Sequence, residues 1–208
     1  MVSYTISVHN EEEELNLLLD YLIKNISVED EIVVQSDSER VTDEVENVVS
    51  NYIDKFPKFV YAKFPLNNNF SDFKNNIKQY CTQKWIFNID ADEVPSDFLL
   101  QNLHGILDDN SEVDMILVPR WNIVDGITDE HIKKWGWKFD EHERINWPDY
   151  QTRIYKNLNN INWKNKVHER LEGFERYSAF PEEREFSLLH FKTIERQEKQ
   201  NNFYAELF

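Results

Sequence analysis

The sequence predicts an α/β protein with a mostly parallel central sheet flanked by helices. Three observations carry that expectation. Short β-prone runs and helix-periodic segments alternate four times through the first half of the chain. Polar or acidic turns follow each β-prone run, where an open α/β sheet presents its ligand-binding groups. The chain has 208 residues, 40% hydrophobic and 14% aromatic, enough to build one substantial core.

Each element has its own justification. Tyr4-Thr5-Ile6-Ser7-Val8 reads as the first strand, with Asn10 as a helix N-cap and Glu11 to Glu14 placing negative charge on the positive helix end. Leu15, Leu18, Leu19 and Leu22 follow at helical spacing. Glu31 to Gln35 is the second strand, followed by a helix face of Val41, Val45, Val48, Val49 and Tyr52. Lys58 to Phe64 is the third, followed by Phe73, Ile77, Tyr80 and Cys81 on one helix face. Trp85 to Ile89 is the most apolar strand and runs into Asp90-Ala91-Asp92-Glu93. Pro95 is expected in the first turn of a helix carrying Leu99, Leu103, Ile106 and Leu107. Met115 to Val118 is a further strand. From Trp121 to Trp163 the chain holds five of its six tryptophans without clear periodicity, and irregular loops and short hairpins are expected there, as a lid or acceptor surface. Thr193 to Phe208 reads as a polar helix bearing Phe203, Tyr204 and Leu207. No repeat or linker divides the chain, so one domain over 1–208 is expected.

Composition narrows the function classes. Only four glycines are present, none close to another, which excludes the Gly-rich dinucleotide fingerprint and the P-loop. A net charge of -16 repels a phosphate polymer, and no basic cluster stands clear of acids, so no nucleic-acid partner is expected. One small phosphorylated ligand remains compatible, provided a cation neutralises the contact. The lone Cys81 permits no internal disulfide or multi-cysteine zinc site and is expected to fill the apolar side of a helix. No apolar run approaches a transmembrane length, and a soluble, cytoplasmic protein is expected; composition leaves peripheral membrane contact open.

The strand-end rule selects His9-Asn10, the Gln35-Ser36-Asp37 turn, Asn67 to Asp72, and Asp90 to Glu93. Asp90 and Asp92 are the sharpest signal. Two carboxylates at i and i+2 leaving a buried strand can turn to one hard cation, Mg²⁺ or Mn²⁺, whose remaining positions go to water and substrate phosphate. The structural alternative is an acidic turn capping the helix near Pro95. The apolar strand immediately before the pair favours the metal.

These segments together resemble family 2 glycosyltransferases of the GT-A fold. Ile6-Ser7-Val8-His9-Asn10-Glu11-Glu12 is similar to the family's opening strand and helix start. Glu31 to Asp37 with Thr42-Asp43 resembles its second strand and nucleotide-contacting turn. Asn69 to Asn75 and Trp85 to Glu93 resemble its most diagnostic stretch. Trp147 to Tyr155 and Val167-His168-Glu169 resemble a subgroup with D-A-D-E and V-H-E motifs.

The resemblance implies residues 1–119 as a nucleotide-sugar half and 120–208 as an acceptor and catalytic half ending in a helix. It implies a nucleoside-diphosphate-sugar donor, with Asp90, Asp92 and a late histidine, His190, on a Mn²⁺ or Mg²⁺ ion. Asp37 would face the base, Asn10 or Glu11 would lie beside the nucleoside, and Asp72 and Lys74 would approach the base or diphosphate. Gln35 and Ser36-Asp37-Ser38 depart from the family's usual Asp and Gly at the second turn, which leaves the nucleobase unassigned. Inverting transfer needs a carboxylate to take the acceptor hydroxyl's proton. Glu169 is the candidate and Asp149 the alternative, while an ion pair of Glu169 with Arg170 or Lys166 is the structural reading. Arg153 would meet a phosphate or pair with Asp149, and His168 is expected to be structural. Most of Trp121, Trp135, Trp137, Trp147 and Trp163 are expected to pack, as aromatic rings usually bury area, with Trp135 or Trp137 as the exposed pair offered to a glycan. Asn67-Asn68-Asn69 is expected to be a structural turn.

The leading expectation is a metal-dependent inverting glycosyltransferase acting on a hydroxyl of a glycan, free or linked to lipid or protein. A nucleotidyltransferase is one alternative, but it would need a basic, Gly-rich loop where His9-Asn10-Glu11-Glu12-Glu13-Glu14 stands. A non-catalytic nucleotide- or glycan-binding module is the other, with Asp90, Asp92 and Glu169 then structural.

Overall fold

The first half builds the expected alternation. In the computed structural model, which describes residues 1–142 and 144–198, β1 (Val2–Val8), β2 (Glu31–Asp37), β3 (Phe59–Phe64) and β4 (Trp85–Asp90) are mutually parallel, in the order β3-β2-β1-β4. Helices α1 (Glu12–Asn25), α2 (Asp43–Tyr52) and α3 (Phe70–Lys78) are their crossovers, as parallel pairing requires. On α1, Leu15, Leu18, Leu19 and Leu22 are fully buried, each stabilising by roughly 1.5–3 kcal/mol.

The sheet extends beyond β4 to seven strands. β6 (Met115–Val118), β8 (Gln151–Lys156) and β11 (Tyr177–Ala179) complete the order β11-β6-β8-β4-β1-β2-β3, with β8 antiparallel to β4 and β6. A second sheet, β5-β12-β7, comprises β5 (Glu93–Pro95), β7 (Arg120–Asp125) and β12 (Leu188–Thr193). β9 (Asn162–Lys164) pairs with β10 (Arg170–Glu172). Helices α4 (Asp97–Asp109) and α5 (Asp129–Trp135) and a 3-10 turn (Arg184–Phe186) fill the remainder. No described helix is long and apolar enough to cross a membrane.

The sheet's two faces differ. Val2, Tyr4, Ile6 and Val8 of β1 lie beside Ile32, Val34, Phe87 and Ile89 and form a continuous apolar core with the buried residues of α1, α2 and α4. The alternate residues Ser3, Thr5 and Ser7 register with Glu31, Gln35, Asn88 and Asp90 on the face toward α3, where Gln35 Nε2 donates to Phe73 O at 2.8 Å.

Several local expectations are corrected. Asn10 is not the cap: Glu11 holds that position, and its Oε2 turns back to accept from the His9 and Asn10 N–H groups at 2.9 and 3.1 Å. Pro95 ends the edge strand β5, where a missing N–H costs no ladder bond, and Ser96 caps α4 by accepting from Leu99 N at 3.2 Å. Tyr80 and Cys81 follow the end of α3; Cys81 is buried in the smaller core, and burial pushes its thiol up to about 12, which makes it inert. The 121–163 stretch is not merely loops, since it supplies β8, a central strand. β8 is covered on both faces, Ile154 in one core and Tyr155 in the other, so it shows no amphipathic alternation. Residues 194–198 are helical, while Phe203, Tyr204 and Leu207 lie outside the described residues.

Candidate active site

The carboxyl ends of the parallel strands gather the chemistry. Asp90 closes β4, and the turn to β5 presents Asp92 and Glu93. β8 runs the other way, so its first residues, Gln151 to Arg153, reach the same edge. Parallel pairing of β12 with β7 sets His190 beside Asn122.

At the centre is a buried charge network. Glu93 is fully buried and takes Arg153 Nη2 at 2.6 Å and Arg120 Nη1 at 3.2 Å on Oε1, while its Oε2 accepts from the Asp90 N–H at 3.2 Å. Arg153 also donates to Asp90 Oδ2. Arg120 continues to Asp149 Oδ2, at 2.9 Å through Nε and 2.8 Å through Nη2. Burial opposes charge on Asp90, but Arg153, Lys74 and Arg120 outweigh it and hold the carboxyl well below the usual range. Burial likewise disfavours charged Arg153, and Asp90 and Glu93 reverse that and keep it protonated.

The Asp92 pair carries a different signal. His190 Nε2 stands 3.3 Å from Asp92 Oδ2, and Lys192 Nζ 3.6 Å from the same oxygen. Asn122 fixes the imidazole tautomer. Its Nδ2 donates to Asp149 Oδ2 at 2.8 Å, so its Oδ1, 2.7 Å from His190 Nδ1, must accept. Nδ1 therefore carries a hydrogen, and in neutral His190 the Nε2 lone pair faces a carboxylate oxygen. That nitrogen and the carboxylate oxygen are the pair of donor atoms a divalent ion could share. Burial disfavours the Asp92 carboxylate, yet His190 and Lys192 hold it below its usual range. The donor set of carboxylate oxygen and imidazole nitrogen fits Mn²⁺ or Mg²⁺ with water and phosphate in the other positions. Among the described residues no three His, Cys, Asp or Glu side chains group as a closed metal cage. Asp90, expected as a second ligand, turns Oδ2 to Arg153 instead.

Beside this edge lies a cavity of about 220 Å³, lined by Lys74, Tyr150, Gln151, Thr152, Arg153, Trp163 and Glu169. Lys74 donates to Glu169 Oε1 at 2.5 Å, and its ammonium sits 4.5 Å from the centre of the Trp163 ring. Glu169 thus pairs with Lys74, 95 residues away in sequence, instead of Arg170 or Lys166. Arg153 pairs with Asp90 and Glu93, and Asp149 belongs to Arg120. Asp149 is saturated: Oδ2 takes Arg120 and Asn122, and Oδ1 takes Gln151 Nε2 at 2.9 Å.

The remaining expected residues are placed as follows. Asp37 is buried at the end of β2, where Oδ1 accepts from the Leu66 and Glu39 N–H groups, both at 3.2 Å, so it shapes the turn through backbone. Asn10 is exposed and Glu11 half-buried at the β1 exit. Asp72 is exposed at the start of α3, held by Asn69 Nδ2 at 2.6 Å and turned to its own cap. Asn67 and Asn68 take left-handed turns with φ of 48° and 53°, and Asn69 caps α3, as a structural turn should. Trp163 is buried; Trp135 and Trp137 are half-buried and pack on each other at 4.8 Å.

Sequence reasoning gave no role to Glu93, Arg120, Asn122, Gln151 or Lys192. A usable signal was present: Arg120/Asn122, Gln151/Arg153 and His190/Lys192 are, like Asp90/Asp92, polar pairs at i and i+2. Strand geometry puts each of the first three pairs on one face.

The chain belongs to glycosyl transferase family 2, whose model matches residues 3–181. Its fold is similar to that of S. aureus TarS, a GT-A glycosyltransferase. The crystal structure of the 1–349 portion superimposes with a TM-score of 0.64 at 16% identity, over 92% of this chain and 60% of that one. The same portion in complex with UDP-GlcNAc gives 0.65 at 16% identity, over 92% and 58%, and in complex with UDP 0.64 at 16%, over 93% and 60%. This chain therefore spans about 60% of the length of the structure it matches. Among curated proteins no significant match is found.

Proposed function

We propose that this family 2 chain transfers a sugar, with inversion, from a nucleoside-diphosphate sugar to a hydroxyl of a glycan acceptor, assisted by Mn²⁺ or Mg²⁺. The observation that carries the reading is the approach of His190 Nε2 to Asp92 Oδ2 at 3.3 Å with Nδ1 committed to Asn122, an imidazole nitrogen and a carboxylate oxygen that a divalent ion at the sheet edge would share. Asp92 and His190 would hold the ion, with Asp90 and Arg153 behind them. The ion supplies positive charge against the diphosphate leaving group. TarS, which shares the fold, was crystallised with UDP-GlcNAc and with UDP, which supports a nucleotide-sugar donor.

The chain's own residues divide the remaining work. The nucleoside lies at the β1 and β2 exits, beside Asn10 and Glu11 and over the turn shaped by Asp37; Asp72 takes no part. Glu169 takes the acceptor hydroxyl's proton. It is the carboxylate among the described residues that line the 220 Å³ cavity, and in an inverting displacement it would take the proton as the acceptor oxygen attacks. Asp149 is unsuited to that role because its oxygens are already engaged. Lys74 shields Glu169 in the donor-free state and turns to the incoming diphosphate, releasing the base. Residues 1–119 supply most of the donor side, and 120–208 the acceptor side together with His190 for the ion. A single buried, inert thiol suits the reducing cytoplasm.

The test is a panel of nucleotide sugars incubated with the full chain and Mn²⁺, with the released nucleotide identified. Release of nucleoside diphosphate, suppressed by chelator, is expected. Pyrophosphate release would mark a nucleotidyltransferase, and neither product nor nucleotide binding would leave only a glycan-binding module.

A further inference from the structure

We propose that Asn75 is a positioning residue that ties the hairpin carrying Glu169 to the helix carrying Lys74, and so keeps the base at the cavity when the Lys74–Glu169 pair opens. The inference rests on the transfer reading above and deepens it. β9 and β10 form the hairpin, and Glu169 stands immediately before β10. Asn75 follows Lys74 on α3. Its side-chain amide grips one residue of β9 through both backbone groups. Oδ1 accepts from Trp163 N at 2.8 Å, and Nδ2 donates to Trp163 O at 2.9 Å. In an antiparallel pair every second residue turns its N–H and C=O away from the partner strand. Trp163, opposite Leu171, is such a residue, and the Asn75 amide takes the place of a further strand.

The contact bears on both members of the ion pair. Trp163 is buried, its indole Nε1 donates to Tyr155 Oη at 3.2 Å on the central strand β8, and the Lys74 ammonium lies 4.5 Å from its ring centre. On the way from Trp163 to the base, Lys164, Asn165, Lys166 and His168 are exposed, and Asn165 and His168 take left-handed φ of 73° and 53°. Burial does little to place such a stretch, so Glu169 depends on how the hairpin is attached. Phe70 N donates to Lys166 O at 2.9 Å, Asn75 holds Trp163, and Lys74 holds Glu169 itself at 2.5 Å. The proposed reaction removes the last of these, because Lys74 leaves for the diphosphate. A carboxylate that drifted at that moment would lose the alignment that proton transfer needs. The Asn75 amide is uncharged and bonds only backbone groups here, so an arriving diphosphate does not draw it away. The hairpin stays docked while the ammonium moves.

The test is a double-mutant cycle on the full chain in Mn²⁺. Nucleoside diphosphate released from a panel of UDP- and GDP-hexoses gives the rate, and calorimetry of UDP and GDP gives the affinity. Asn75→Leu is expected to slow release by about 10–100-fold, the scale of an ångström's misplacement, while nucleotide affinity changes by less than about twofold. In a Glu169→Gln background the same substitution should change the rate by less than about twofold, because Asn75 acts through Glu169. Asn75→Asp keeps the bond from Trp163 N and loses the one to Trp163 O, so an intermediate rate is expected. It replaces Asn75→Leu in the cycle if circular dichroism shows that Asn75→Leu does not fold. Equal losses in the two backgrounds would overturn the proposal, as would a fall in nucleotide affinity that matches the fall in rate, or a parent-like rate in Asn75→Leu. A parent-like rate in Glu169→Gln would remove Glu169 as base and the proposal with it. A parent that neither binds UDP or GDP nor releases either from its sugar would remove the nucleotide-sugar reading itself.

Discussion

The two faces of the parallel sheet are built from the same four strands yet do opposite things. Toward α1, α2 and α4 the strands present Val2, Tyr4, Ile6, Val8, Ile32, Val34, Phe87 and Ile89, a dry surface that dispersion and burial hold together. Toward α3 they present Ser3, Thr5, Ser7, Glu31, Gln35, Asn88 and Asp90, joined by side-chain bonds such as Ser3 Oγ to Glu31 at 2.5 Å and Thr5 Oγ1 to Asn88 at 3.2 Å. Ser7 Oγ, Gln35 Oε1 and Asn88 Nδ2 are buried there with no hydrogen-bond partner among the described residues. The first face is the larger source of stability, although Val33 and Ile86 on the second join Ile77 of α3 in the smaller core. The other gives up some of it to carry polar groups to the edge where Asp90, Arg153 and Lys74 meet.

Mutations should separate the faces by kind of loss. On the polar side, Glu169→Gln is expected to keep nucleotide binding but slow transfer by about 10²–10⁴, the range for removing a general base, as steady-state kinetics would show. Turnover at the parent rate would move the base elsewhere. Glu93→Ala leaves Arg120 and Arg153 facing each other without their shared anion and should cost about 3–5 kcal/mol in denaturant unfolding. Leu19→Ala on the dry side should cost about 2–5 kcal/mol by cavity formation, with the affinity of the folded protein for nucleotide unchanged.

Acid should act on the polar edge selectively. Asp90 and Asp92 have folded-state values lowered from 3.8, so they bind fewer protons folded than unfolded near that pH. Their stabilisation is complete above 3.8 and is lost as pH falls through the lowered values. Urea midpoints measured against pH should decline in that window, and Arg153→Met should flatten the decline. The smallest effect is expected from Gln35→Leu. It loses the bond to Phe73 O but also removes a buried unpaired oxygen, so the net change in unfolding free energy should stay within about 1 kcal/mol. A large destabilisation would mean the polar face is better satisfied than its protein contacts indicate.

Legibility follows the same division. The apolar face was readable residue by residue, because Leu15, Leu18, Leu19 and Leu22 at helical spacing and the runs at Ile32–Val34 and Trp85–Ile89 are local patterns that burial then uses. Asp90 and Asp92 were readable as a pair because a strand end announces itself. The fate of Asp90 was not, since Arg153 lies 63 residues away. Nor was β8 readable as a central strand: a segment buried on both faces has no alternation to display, and its tryptophan-rich flanks suggested loops. Glu11 takes the cap in place of its neighbour Asn10, and Ser96 takes the cap of α4, which leaves Pro95 two residues short of the first helical residue, Asp97.

The sequence by itself determined the alternation of strands and helices, the dry face and the acidic turn after β4, all of which depend on spacing within about one element. Tertiary structure alone decided which charges meet. It set Glu93 between two arginines, brought Lys74 to Glu169, and aimed His190 and Lys192 at Asp92. Ion pairs form between groups that the packing of distant strands brings within a few ångströms, and no local period records which strand will lie beside which.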